Sequence, residues 1–377
     1  MKEGWEYKKL GEVCEITMGQ SPNSKSYNKD GRGLPFFQGC ADFGILNPNI
    51  STYCSEPKKV AEPLDILMSV RAPVGTLNIA NTKCCIGRGL ASFREIKNKS
   101  SYKFLYYLLK SSEKYFQDNS TGATFKAIGK ELVVNYKIKI PSIYKQIEIS
   151  SELDLLSGVI EKQKAQLEEL DKLAQSIFYD MFGKKDWESK KIKDIAIVKI
   201  GPFGSALHQY DYISGGTPLV NPIHMKNGKI EADSNFTISD EKKKELSSYL
   251  LKINDIVFGR RGDIGRCALV TQKENGFLCG TGSLFVRFTI NINPLYSLKI
   301  LSSSSVKQYL LGNARGATML NLNSTVIEGI SIPLPPLSLQ QEFAAKVEAI
   351  EAMKAKVRQS LKEAETLFNE RMDYYFN

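Results

Sequence analysis

"WEYKKLGEVCEI" (residues 5–16) and "WESKKIKDIAIV" (187–198) carry the same phrase: Trp-Glu-x-Lys-Lys, an aliphatic residue, then an alternating stretch. Trp5 and Trp187 are the only tryptophans in the chain, so each copy opens on one of them. The likeness continues in the same order. Gly19 answers Gly201, and "DILMSVRAPVG" (65–75) answers "DIVFGRRGDIG" (255–265). "CCIGRGLASFR" (84–94) resembles "CGTGSLFVRF" (279–288), and "TGATFKAI" (121–128) matches "RGATMLNL" (315–322). "KIPSIYKQIE" (139–148) matches "PLPPLSLQQE" (333–342), and each half closes on an aromatic cluster, "FYDMFG" (178–183) and "DYYFN" (373–377). The period is domain-sized. It therefore marks a tandem pair of like domains related by a pseudo-twofold, rather than a solenoid.

Within each copy the pattern changes once. The first part is built of short alternating stretches broken by Gly, Pro, Asn and Ser, such as "GQSPNSKSYNKDGRG" (19–33), which predicts short strands joined by long loops. "SSYKFLYYLLKSSEKYF" (100–116) has the spacing of one amphipathic helix. Beyond the proline landmark each copy becomes helical. Leu153, Leu156, Ile160, Gln163, Leu167, Leu170, Ala174, Ile177 and Met181 fall on a heptad seam. The matching positions in the second copy are Val347, Ile350, Lys354, Val357, Leu361, Ala364, Phe368 and Arg371, with Lys354 and Arg371 out of pattern. The expected helix-pair interface is Leu153, Leu156, Ile160, Leu167, Leu170, Ile177, Val347, Ile350, Val357, Leu361 and Phe368. Phe178, Phe182, Tyr374 and Tyr375 are expected to seat the helix ends.

The fold class is α+β: two globular mixed α/β domains, 1–142 and 184–336, separated by two long helices, 143–183 and 337–377, that pair as an antiparallel coiled coil. With 377 residues, 42% of them apolar, there is material for two cores. The formal charge of +10 favours a polyanionic partner such as DNA. Seven scattered cysteines without a Cys-x-x-Cys, and only two histidines, argue for reduced thiols in the cytoplasm and against zinc. The N-terminus is polar, and no apolar run reaches the length of a membrane span.

Several chemistries lack their residues. "GATFKAIGKE" (122–131) has the wrong glycine spacing for a P-loop. "NPNI" (47–50) and "NPIH" (221–224) lack the second proline and the aromatic that an amino-methyltransferase uses to grip its target. Asp42 with Glu56 and Lys58, and Asp233 with Glu241 and Lys243, resemble a magnesium nuclease site loosely, but the pattern is common in charged proteins and reads more simply as solvated loop charges. What remains is arginine, lysine, serine, threonine and glycine in loops. Arginine offers two parallel donors to guanine edges or phosphates, and glycine lets backbone amides approach a phosphate. The expected DNA-binding residues are Lys25, Arg71, Arg88, Thr124 and Lys126 in the first copy and Arg260, Arg261, Arg266, Arg315 and Thr318 in the second. A nuclease acting alone, and a scaffold that binds only protein, are the competing readings.

Residues 5–44, 71–94 and "IPLPPLSLQQEFAAKVEAI" (332–350) resemble the specificity subunit of type I restriction-modification enzymes, as does the plan of domain, long helix, domain, long helix. The resemblance spans essentially the whole chain. It implies a non-catalytic subunit whose two target-recognition domains read a split DNA sequence. The helices would dock two methyltransferase subunits, and restriction (motor-nuclease) subunits would join them. S-adenosylmethionine, ATP and Mg would sit on those partners, with no cofactor in this chain. "DIVFGRRGDIG" departs from the first copy around Arg71, so the two domains are expected to read different bases and the target to be asymmetric.

Overall fold

A computed structural model describes residues 4–122, 126–183, 186–203, 206–261, 264–313 and 321–377. The chain divides into two compact units. The first runs to Gln166 and takes in Val357–Asn377; the second is Leu167–Lys356.

In the first unit a four-stranded antiparallel sheet has the order Cys14–Met18, Leu90–Glu95, Ile66–Ser69, Leu77–Ile79. A second sheet has the order Tyr27–Asn28, Tyr53–Cys54, Leu34–Phe37, Cys84–Ile86, Val60–Ala61, with one parallel pairing between Phe36 and Cys85. The tryptophan phrase supplies a third pairing. Glu6–Lys9 runs antiparallel to Lys137–Ile140, the strand that leads into the long helix. Glu6–Lys9 faces solvent along its length, and its two lysines suit an edge strand that must not recruit another.

The second unit repeats the plan. Ala196–Ile200, Ser283–Phe288, Ile256–Gly259 and Cys267–Leu269 form the antiparallel sheet in the same order. Leu219 pairs in parallel with Leu278 as Phe36 does with Cys85. Ser189–Lys191 closes against Ser331–Pro333. The phrase recurs because it fastens the start of each domain to the strand just before its long helix.

The expected single helix over 100–116 is two, Tyr102–Ser111 and Glu113–Asp118. The break falls at Ser112, whose hydroxyl turns back to the Leu108 carbonyl at 2.7 Å, the local competition that disfavours serine inside helices. Tyr102–Ser111 buries Phe104, Leu105, Tyr107 and Leu108 in the first core.

The long helices are Ile143–Phe182 and Leu337–Phe376, 40 residues each. Their starts are fixed by a matched pair of glutamines. Gln146, fully buried, donates to Lys99 O (3.0 Å) and Pro141 O (2.9 Å) and accepts from Ser101 N (3.0 Å). Gln340 donates to Pro335 O (2.8 Å) and accepts from Asn293 N (2.9 Å). Each glutamine thus ties the first helical turn to its own domain.

In both units the helical segments run antiparallel. In the first, Glu152 meets Arg371 (2.7 Å) and the Tyr375 hydroxyl (2.6 Å), while Gln163 donates to Ser360 (2.6 Å). In the second, Asp171 meets Lys354, and Phe178 and Phe182 meet Phe343. Of the expected seam residues, Leu153, Ile160, Leu170, Ile350 and Phe368 are buried; Leu156, Leu167, Ile177, Val347, Val357 and Leu361 are half-buried. Tyr374 is largely exposed, whereas Phe178 and Phe182 enter the second core.

Lys354, out of pattern in the sequence, is buried at 6% exposure. Its ammonium bonds Glu351 at 2.8 Å and also bonds Asp171. Burial works against its charge, but hydrogen bonds and charge from Asp171 and Glu351 outweigh that, and its pKa lies above the ordinary lysine value. Exchanging a buried ionic group for a well-packed apolar one is often neutral or stabilising. Lys354→Leu is therefore expected to leave the second unit unchanged or stabilise it by about 1 kcal/mol, and Asp171→Ala to destabilise it, both read by urea unfolding.

Candidate nucleic-acid interface

The loops at one rim of the first antiparallel sheet converge through backbone hydrogen bonds. Val70 N donates to Gly89 O (2.9 Å), Ile128 N to Val70 O (3.0 Å), and Ala72 N to Lys126 O (3.0 Å). Arg71 and Ala127 form a bridge. The chain is extended here, so successive side chains alternate: Val70 is buried and Arg71 faces solvent. The loop at 121–128 thus brings Lys126 beside Arg71, and the Gly87-Arg88-Gly89 turn lies against Val70. Arg88 is exposed between its two buried glycines, with its amide on the Ser21 hydroxyl at 3.3 Å. Ser21 is also bonded to Gln38. Lys25 lies exposed in the neighbouring Ser24–Ser26 turn, where Asn23 accepts its amide at 3.0 Å.

Among the described residues the second unit repeats two of these bonds and the bridge. Arg260 N donates to Gly282 O (2.9 Å), Leu322 N to Arg260 O (2.9 Å), and Arg261 bridges Asn321. Arg261 is exposed at the place Arg71 holds in the first unit. Gly19 and Gly201 are glycines for one reason. A Cβ on Gly19 would come within 2.1 Å of Gly87 O, and one on Gly201 within 2.1 Å of Gly280 O.

The other two arginines of the second loop point elsewhere. Arg260 takes the inward position of Val70. Its Nε donates to Asn321 Oδ1 (3.2 Å) and Leu322 O (3.3 Å), and burial, then the neighbouring Arg261, lowers its pKa. Arg266 donates from Nη1 to Pro222 O at 3.1 Å. Thr124, Arg315 and Thr318 lie outside the described residues.

Two charged pairs at the ends of these strands away from the rims are not apparent from the sequence. Asp65, 2% exposed, accepts Arg94 Nε and Nη2, both at 2.8 Å; Asp255, 1% exposed, accepts Arg287 Nε at 2.8 Å and Nη2 at 2.6 Å. Each pair links the two central strands of its sheet. The signal was present: Asp65 and Asp255 open one repeated phrase, and Arg94 and Arg287 stand near the end of another.

Asp42 accepts the Gln38 amide at 2.8 Å and closes the turn Cys40–Asp42. Among the described residues no group of three or more His, Cys, Asp or Glu side chains is placed to hold a metal ion, and no helix is long and apolar enough to cross a membrane.

The chain is a tandem-duplicated α+β protein in which each copy carries the same arginine-bearing rim. Residues 2–172 and 184–365 match the model of the type I restriction modification DNA specificity domain, and the chain belongs to that family of specificity subunits. A putative type I restriction enzyme MjaX specificity subunit of Methanocaldococcus jannaschii is 42% identical over 46% of this chain, and the match spans 42% of that relative. The MjaIX specificity subunit of the same organism is 24% identical over 92% of this chain and 86% of its own length. The crystal structure of the type I restriction-modification S subunit from M. genitalium shares the fold, with a TM-score of 0.62 over 99% of this chain and 96% of that one, at 15% identity.

Proposed function

We propose that this specificity subunit reads a split, asymmetric double-stranded DNA target, each domain taking one half through its loop rim. The observation that carries this reading is the placement of Arg71 and Arg261. Both are exposed on the same backbone scaffold, but with different neighbours: Arg88 and Lys126 in one rim, Arg260 and Asn321 in the other. Equal scaffolds with unequal side chains suit two readers of different bases. Lys25, Arg71, Arg88, Lys126 and Arg261 supply donors to base edges and phosphates. Arg260 and Arg266 hold the second loop in position.

The helices dock two methyltransferase subunits, and restriction (motor-nuclease) subunits complete the assembly in the cytoplasm. S-adenosylmethionine, ATP and Mg act on those partners. This chain contributes the address.

The test assembles Arg71→Ala and Arg261→Ala chains with the methyltransferase subunits and maps methylated sites on genomic DNA. Each variant is expected to relax one half-site by about tenfold, roughly 1–3 kcal/mol per bidentate contact, and to leave the other half unchanged. An equal loss on all sequences would assign the arginine to phosphate instead. Cleavage by the chain alone with Mg would replace this reading with that of a nuclease.

A further inference from the structure

Beside the second rim, and partly walled by its loop, lies a cavity of about 540 Å³. Its wall includes Lys226, Asn227, Arg266, Ser302 and Lys307, with the glycine turns at Gly228 and Gly265. Both glycines have positive φ, +75° and +87°, a conformation that side chains rarely adopt. Lys307 packs its stem on Gly265, with its Cγ 3.2 Å from where a Cβ would stand. Lys226 pairs with Glu231 at 2.5 Å, both side chains about 60% exposed (60% and 59%), so the pair can open towards an incoming anion. The guanidinium of Arg266 is fixed from behind by the Pro222 carbonyl.

The duplication supplies an internal control. Gly75 is the first-copy counterpart of Gly265, and the residue packed on it is Glu113, whose Cγ lies 2.8 Å from a built Cβ. Thr76 follows Gly75 where Arg266 follows Gly265. The same architecture therefore carries an acid in one domain and a base in the other. The cationic lining is not demanded by the fold.

We infer that this cavity seats a phosphodiester of the DNA backbone, next to the bases that the second rim reads. Lys226 and Lys307 provide charge, and Asn227 and Ser302 provide neutral hydrogen-bonding groups. Such a contact carries no base information. It fixes how the second domain lies on the duplex, and it makes the second half-site the more salt-sensitive of the two. This inference rests on the DNA-reading function proposed above.

The test uses the full chain, assembled with its methyltransferase subunits, and a fluorescent duplex carrying the mapped target beside one of scrambled sequence. Affinity is measured by anisotropy from about 50 to 200 mM salt, a range over which each phosphate contact shows in the slope of log affinity against log salt. Lys307→Glu introduces the residue type that the first domain carries here, and its fold is checked by circular dichroism before the titration. Lys226→Ala and Lys307→Glu together are expected to weaken both duplexes several-fold alike and to lower that slope by about 1. Lys307→Arg is expected to retain it. An unchanged slope in a folded variant overturns the phosphate seat alone, as does a loss confined to the target duplex, which would mean base reading. Failure of the unaltered complex to bind either duplex overturns the function on which it rests.

Discussion

Asp255→Ala is expected to destabilise the second domain by about 3 kcal/mol, the cost of breaking a buried ion pair by removing one partner. Asp255 is 1% exposed, and both of its oxygens are committed, to Arg287 at 2.8 and 2.6 Å and to the Lys252 amide at 2.7 Å. Alanine leaves a guanidinium that still holds the Leu250 carbonyl at 3.0 Å and lies over Phe285 at 4.7 Å. That guanidinium loses its Asp255 carboxylate partner, and the 252–255 turn loses its acceptor. The Arg287 side chain is 26% exposed, so water reaches part of it, and the effect belongs at the lower end of the range for buried pairs. The Arg94 side chain is 41% exposed, so Asp65→Ala should cost less, about 2 kcal/mol. The tryptophans report separately, Trp5 from the first unit and Trp187 from the second. Urea unfolding followed by Trp187 fluorescence in a Trp5→Phe background isolates the second domain. A loss below about 1 kcal/mol would place the pair with ordinary surface ion pairs.

The division of labour between sequence and tertiary structure follows the range of the interactions. The seam was legible because heptad spacing is local: Leu153, Ile160 and Leu170 declare a buried face within one helix. The duplication was legible because it needs only comparison. Sheet order was not, since the strands have two to six residues and their partners are remote, as with Phe36 and Cys85. Lys354 looked like a flaw in the pattern because its partner Asp171 lies in the other long helix. Composition alone groups Arg260 with Arg261 as a DNA contact. Yet the alignment of "DIVFGRRGDIG" on "DILMSVRAPVG" sets Arg260 on Val70, an apolar position, and the structure gives it an inward side chain bonded to Asn321 and Leu322. Comparing the copies position by position, rather than counting arginines, separates the residue that holds the loop from the residue it presents.

Phe343→Ala should have the largest effect, about 4 kcal/mol on the second unit, because Phe-to-alanine changes in cores cost roughly 3–5 kcal/mol. Phe343 is fully buried. Its ring meets Phe178 at 5.5 Å and 70°, and Phe182 at 5.4 Å and 77°; Phe182 in turn meets Tyr296 at 4.8 Å and 61°. These are edge-to-face arrangements, which add to the area buried. Tyr296 is itself fixed, donating to the Pro333 carbonyl at 2.9 Å, so the wall opposite the lost ring cannot collapse freely into the gap. The first unit offers a milder counterpart. Phe376 holds the last turn of its helix as Phe182 does, but it is only half-buried and meets the single ring of Phe104 at 5.4 Å. Phe376→Ala should therefore cost about half as much, roughly 2 kcal/mol. For a unit of this size each kcal/mol moves the melting point by about 2–4 °C, so Phe343→Ala lowers the second transition by roughly 10 °C in calorimetry. Equal shifts from the two variants would show that the aromatic cluster adds nothing beyond one buried ring, and that the end of the central helix is held elsewhere.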